Sequence, residues 1–311
     1  MKRQEIDREA ARRVDAEARR VLATNRRKGV SDWDGMRYDF VCPSPTHYPF
    51  QWFWDSAFHA IALLQVDPKL AQQELRCLMQ GAQPDGYIAH MLLWDTKSNP
   101  EWFTPEACIR LDQPHFTGTI QPPVVARSLE RIYDATQDAA YVRELFPKIL
   151  AFMQWLDRVR DVDRDALVTI IQPDESGLDA SPKYDREMQV EAQPPERTLA
   201  DWRRGMHRLF GVYAKKTHEE QAKLDVFSFE DVMMNTIYAD GWRALARLAT
   251  AVGLPDADDH ERCYRRTLDA LLAKCWDEKA GVFWDLSGAA ERPARVLTFT
   301  SLFPLALPDL P

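Results

Sequence analysis

The chain has 311 residues, 45% of them apolar and 28% charged, with a net charge of -8. This balance describes an acidic, folded protein that can bury a large core, and it offers no electrostatic attraction to nucleic acid or an anionic membrane. Twelve glycines fall below the usual share of about 7%, which disfavours a β-sandwich with glycine in every turn and favours helix.

The charged start of the chain predicts neither a signal peptide nor a membrane span, and no later run reaches the roughly 18 apolar residues that a span needs. From Ile6, apolar residues at Ala10, Val14, Ala18 and Val21, with Gly29 beyond, predict an amphipathic helix. After Asp55 the run Ala57, Phe58, Ala60, Ile61, Ala62, Leu63, Leu64 and Val66 is apolar on nearly every side and predicts a helix buried all round. Asp67-Pro68 supplies an N-cap and an N1 proline for a following helix with Leu75, Leu78 and Met79 inside.

The same pattern returns after Pro122-Pro123, at Val125, Leu129, Ile132 and Tyr133, and again at Ile149, Phe152, Met153 and Leu156. It recurs around Met234, Ile237, Tyr238, Leu245 and Leu248, and around Tyr264, Leu268, Leu271 and Cys275. Strand alternation is convincing only at Leu167-Val168-Thr169-Ile170-Ile171. The five cysteines, Cys42, Cys77, Cys108, Cys263 and Cys275, contain no C-x-x-C pair and predict reduced thiols in a cytoplasmic protein. Eight or nine helices, separated by long loops at 30 to 56, 81 to 120, 161 to 200 and 277 to 298, suggest an all-α fold: helical hairpins around an axis, an α/α toroid with a pocket at one end.

Two segments carry chemistry. Tyr48 through His59 places Trp52, Trp54 and Asp55 directly before an apolar helix. Indole rings stack on the apolar faces of sugars while a carboxylate accepts bonds from adjacent hydroxyls, so this is chemistry for carbohydrate binding; an aromatic core cluster is the plainer reading. Between Gln172 and Asp185 lie Asp174, Glu175, Asp179 and Asp185, on a turn punctuated by Ser-Gly and Ser-Pro that can aim one acid into a cleft. Glycoside hydrolysis needs such an acid, held protonated by apolar surroundings. A solvated acidic loop is the alternative, and the spacing does not fit an EF-hand, so no metal or other cofactor is expected.

The strings Gln51-Trp52-Phe53-Trp54-Asp55, Gln83-Pro84-Asp85-Gly86-Tyr87-Ile88-Ala89-His90-Met91, Thr119-Ile120-Gln121-Pro122-Pro123, Asp174-Glu175-Ser176-Gly177-Leu178-Asp179-Ala180-Ser181-Pro182 and Phe229-Glu230-Asp231-Val232-Met233-Met234-Asn235 occur in that order. Together they resemble glycoside hydrolase family 63, and within it the bacterial mannosylglycerate and glucosylglycerate hydrolases. The resemblance implies one (α/α)6 barrel domain over residues 1–311, an inverting mechanism without metal, and Asp179 as the general acid. It further implies that Tyr48, Trp52, Trp54, Asp55 and Gln121 line the sugar site, with His90 in a secondary role. Lys183, Arg203, Arg204 and Arg208 are candidate donors to a glycerate carboxylate.

The family's base is a glutamate late in its chains, and no such segment is recognisable before Pro311. The expectation is therefore a barrel incomplete at its C-terminus, whose last run, Val296 to Leu307, opens a further buried element. Glu191, Glu196 and Glu230 are the nearest substitutes, and Glu230 reads instead as a first-turn acid of a helix. A trehalase-like α-glucosidase and a non-catalytic sugar-binding protein are the other readings, with a homo-oligomer as a further option.

Overall fold

In a computed structural model, which describes residues 8–96, 111–113, 115–190 and 198–310, helices arise at each segment where the 3.6-residue periodicity predicts one, and two more, Leu199–Tyr213 and His218–Ala222, form where none is read. They are α1 (Arg8–Thr24), α2 (Phe53–Leu63), α3 (Pro68–Leu78), α4 (Val125–Thr136), α5 (Ala139–Val159), α6 (Leu199–Tyr213), α7 (His218–Ala222), α8 (Val232–Val252) and α9 (Ala257–Ala270). Several starts are fixed by side chains that accept bonds from first-turn amides. Asp67 accepts from Lys69 N at 2.9 Å, Asp138 from Tyr141 N at 3.0 Å and Asp231 from Met234 N at 2.9 Å.

α8 lies at the centre of the helical packing, against α4, α5 and α9. It buries Met234, Tyr238, Trp242, Leu245 and Leu248, each contributing about 1.5–3 kcal/mol where fully removed from water. Gly241 permits a close approach to α5, since a Cβ there would stand 2.9 Å from Met153 Cε.

Strands occur mostly inside the stretches read as loops. They are β1 (Arg26–Val30), β2 (Arg37–Val41), β3 (Gln51–Trp52), β4 (Met91–Leu92), β5 (Leu111–Gln113), β6 (Phe116–Thr117), β7 (Phe229–Glu230), β8 (Trp276–Asp277), β9 (Val282–Phe283), β10 (Asp285–Ser287) and β11 (Arg292–Ala294). Among the described residues they form four small antiparallel sheets, ordered β1-β2, β3-β4-β6-β5, β11-β10-β7 and β8-β9. The protein is thus helix-rich with small sheets at its connections. Residues 167–171, read as a strand, are extended but make only one isolated bridge, from Ile170 to Phe229.

One further expectation is corrected. α2 has one buried face, with Phe53, Ser56, Ala57, Ala60 and Leu63 inside, while Phe58 is exposed and Ala62 borders a shallow apolar depression along α1. Its core contacts come from α3 and α4 on one side, and small alanines tolerate the open side. The run from Val296 to Leu307 packs against α8 and buries Leu307. Residues Phe299–Ala306 form a 3-10 turn that buries Thr300, Ser301 and Pro304 and leaves Phe299, Leu302 and Leu305 exposed.

Candidate active site

β3 runs directly into α2, and the first turn of that helix has no side-chain cap of its own at Trp52. The orphan amides find partners elsewhere: Phe53 N donates to the His90 carbonyl at 2.9 Å and Trp54 N to Gln121 Oε1 at 3.0 Å. Three of the motif strings therefore converge on one helix end. Asp55 occupies the third position of that turn.

The acidic string follows the extended segment 167–171. Pro173–Ser176 makes a single 3-10 turn, and Gly177 ends it in the left-handed conformation, at φ +73°. A Cβ on Gly177 would lie 2.2 Å from Trp54 Cζ2, so the indole rests on the glycine backbone. The aromatic wall and the acidic string thus meet in direct contact.

Glu175 is fully buried and accepts from Arg160 Nη1 at 2.8 Å, Arg160 Nη2 at 2.6 Å, Ile120 N at 3.1 Å and Ile171 N at 2.8 Å. The backbone carbonyl of Asp179 accepts from Trp202 Nε1 of α6 at 2.7 Å. Asp179 itself is exposed, yet enough protein surrounds its carboxyl for desolvation to raise its pKa.

Its neighbours are also carboxylates. Asp55 is pushed up to about 6, first by burial and then by the charge of Asp179. Asp174, buried and with Oδ1 unpartnered, is raised well above the ordinary range by burial, by Asp179 and by Glu175. Among the described residues none of Asp55, Asp174 and Asp179 forms an ion pair with Lys or Arg. Acids whose charge is disfavoured by burial and by a neighbouring carboxylate, without a cation to offset it, are where acid–base chemistry is expected.

Residues 48–311 match the model of the mannosylglycerate hydrolase MGH1-like glycoside hydrolase domain. This chain belongs to that glycoside hydrolase family. A mannosylglycerate hydrolase from Thermus thermophilus is 33% identical over 295 residues, 86% of this chain and 69% of the relative. Mannosylglycerate hydrolase MGH1 from Selaginella moellendorffii is 35% identical over 172 residues, 54% of this chain, and the match spans only 33% of that relative's length. The solved GH63 mannosylglycerate hydrolase from a second strain of Thermus thermophilus, in complex with Tris, superposes with a TM-score of 0.80 at 32% identity, over 94% of this chain and 72% of that one.

In this MGH1-like domain the aromatic residues form a graded wall. Tyr48, half exposed, meets the Trp52 ring edge-on at a centroid distance of 5.9 Å, and Trp52 meets His90 at 5.2 Å. His90 is buried behind Trp52, and desolvation takes it down to about 3, so it stays neutral at any ordinary pH. Gln121 is buried, with its carbonyl oxygen committed to the start of α2.

The glycerate-carboxylate candidates separate clearly. Lys183 is buried and bonded to Asp231 at 2.5 Å, Asp285 at 3.2 Å and Thr300 Oγ1 at 3.1 Å, which corrects its reading as a ligand donor. Arg204 pairs with Asp201, and Arg208 Nη2 donates to the Glu187 carbonyl at 2.6 Å; Arg203 is exposed.

Glu230 is also corrected. It lies in β7, and the residue that caps α8 is Asp231. Burial, then Asp165, push Glu230 up to about 8. Its carboxylate belongs to a cluster with Asp163, Asp165 and Glu291, with ligand oxygens all within 4.8 Å of one another, a spacing that a metal ion could use. Lys274 already ion-pairs with Asp165 there, and with Glu291 at 2.7 Å, so an ammonium supplies part of the compensating charge.

Glu191, Glu196 and Cys108 lie outside the described residues; Cys42, Cys77, Cys263 and Cys275 are free thiols. Among the described residues no helix is long and apolar enough to cross a membrane. Sequence reasoning did not assign Arg160, Trp202, Asp231 or Asp285 to the neighbourhood of the acid, because their partners lie far along the chain or meet them through backbone atoms.

Proposed function

We propose that this chain is an inverting α-glycoside hydrolase for a small hexosyl compound such as mannosylglycerate or glucosylglycerate, built on an (α/α)6 toroid of which residues 1–311 supply an incomplete set of helices. The observation that carries the reading is Asp179. Its carboxyl is surrounded closely enough for desolvation to favour the protonated form, its charge raises both Asp55 and Asp174, and it lies two residues from the Gly177 backbone on which Trp54 rests.

In this reading the sugar stacks on Trp54 and Trp52, Tyr48 borders it, and Asp55 accepts bonds from its hydroxyls. Asp179 gives its proton to the glycosidic oxygen as the bond from that oxygen to the anomeric carbon breaks. The aglycone leaves as a neutral alcohol and Asp179 becomes a carboxylate. In the same step water attacks the anomeric carbon from the opposite face, and a carboxylate base about 6.5–9.5 Å from the acid takes its proton. Glu230 is not assigned to that step: its carboxylate groups with those of Asp163, Asp165 and Glu291.

Hexose release from mannosylglycerate, glucosylglycerate and trehalose, measured for the chain and for Asp179→Asn, tests the assignment. The proposal requires turnover of a hexosyl-glycerate that disappears in the variant. Full activity of Asp179→Asn overturns the acid, preferential turnover of trehalose overturns the substrate class, and saturable binding without turnover favours the sugar-binding reading.

A further inference from the structure

Asp179 stands on an irregular segment, where backbone alone does not hold a carboxyl to the tolerance that proton transfer requires. Four residues upstream, Glu175 takes its four donors from Arg160, Ile120 and Ile171. Four residues downstream, Lys183 lies at the centre of a second buried charge cluster. Its ammonium contacts Asp231 Oδ2 at 2.5 Å, Asp285 Oδ1 at 3.2 Å and Thr300 Oγ1 at 3.1 Å. Asp231 is held in turn by Tyr184 OH at 2.5 Å and Met234 N at 2.9 Å, and Asp285 by Val232 N at 2.7 Å. One side chain therefore ties the acid-bearing segment to the start of α8, to β10 and to the C-terminal 3-10 turn.

A buried group of two aspartates and one lysine is a poor way to gain stability. Desolvation of each charge consumes most of the Coulomb energy, and apolar residues of similar volume do as well or better. What the cluster supplies is direction, because Lys183 satisfies Asp231, Asp285 and Thr300 together only at one position. Between Glu175 and Lys183 the described contacts are fewer: the Trp54 ring on Gly177, the Trp202 bond to the Asp179 carbonyl, and local turns at Ser176 and Ser181.

We propose that Lys183 is a positioning residue for Asp179: the ion cluster with Asp231 and Asp285 pins the downstream end of the acid-bearing segment, opposite the Glu175–Arg160 pair that pins its upstream end. The inference rests on the assignment of Asp179 as general acid.

Lys183→Met keeps length and burial and removes the charge. The test follows hydrolysis together with the titration of the Asp179 carboxyl by 13C NMR in aspartate-labelled protein, with the signal assigned by its loss in Asp179→Asn. The expected result is a loss of kcat on the order of 100-fold with KM nearly unchanged, and an Asp179 midpoint that falls toward the ordinary carboxylate range as the loosened segment hydrates. Loss of the lysine charge alone acts in the opposite direction, so a fall reports displacement.

An unchanged midpoint in folded Lys183→Met overturns the proposal. Should that variant not fold, Thr300→Val, which keeps all three charges and removes one lysine contact, is expected to move the midpoint the same way by a smaller amount, and no movement there overturns it equally. The titration reads the clamp whether or not the chain turns over. Failure of the acid assignment, seen as activity retained in Asp179→Asn, is thus separate from failure of the clamp.

Discussion

The Trp54 indole lies on the backbone of Gly177, with Cζ2 only 2.2 Å from where a Cβ would stand. The residue is also in the left-handed region, at φ +73°. Gly177→Ala therefore meets two costs, about 1–2 kcal/mol for the backbone and the displacement of a ring that walls the proposed sugar site. The expected outcome is a lower urea midpoint and a loss of sugar affinity larger than the stability change accounts for, measured by tryptophan fluorescence titration with a hexosyl-glycerate.

Asp174 gives a prediction about stability and pH. Its native pKa is raised by burial first and then by Asp179 and Glu175, whereas in the unfolded chain it ionises near 3.9. Above that value the native state binds the extra proton, so the contribution of this group is fully present below the unfolded pKa and falls as pH rises, with a limiting slope of about 1.4 kcal/mol per pH unit. Asp174→Asn mimics the protonated form. Urea unfolding at pH 4, 6 and 8 is expected to show a flatter profile for the variant and a higher stability than the parent at pH 8. Parallel profiles would show that Asp174 is ionised in the fold.

Asp55 titrates at about 6, because burial and then Asp179 oppose its charge. As an acceptor for sugar hydroxyls it works best ionised, so affinity is expected to rise as pH passes upward through 6. Hydrogen bonds to charged groups contribute about 1.5–3 kcal/mol, which places the loss for Asp55→Ala at pH 8 at roughly 10-fold to 100-fold. Calorimetric titration at pH 5 and pH 8 checks both the magnitude and its pH dependence; equal affinities at the two values would remove Asp55 from the sugar contacts.

All helices except α6 and α7 were legible because their signals are local. Asp67-Pro68 caps α3 as its own dipeptide requires, and the apolar residues of α4, α5, α8 and α9 repeat every three to four positions. The strands were not, since segments of two residues such as β3, β4 and β6 cannot display an alternation. The order of motifs named the family, but it could not show that Trp54 touches Gly177 or that Gln121 caps α2. Lys183 was misread for the same reason: a lysine beside a sugar-site motif suggests a ligand contact, and its partner Asp285 lies 102 positions away.

Arg160 and Glu175 provide the sharpest test of the frame around the acid. Both are fully buried, and their bidentate pair also fixes Ile120, next to Gln121, and Ile171, ahead of the acidic turn. Glu175→Gln leaves a buried guanidinium without its counter-charge, and breaking a buried pair in this way costs about 3–5 kcal/mol. Arg160→Met with Glu175→Gln removes both charges, so the double variant is expected to be more stable than Glu175→Gln alone. A double-mutant cycle by urea unfolding measures this coupling. If the pair serves only stability, the double variant recovers sugar binding along with its urea midpoint. If Glu175 also sets the positions of Ile120 and Ile171, stability returns while affinity for the hexosyl-glycerate stays low, because glutamine accepts at one oxygen where the glutamate used both.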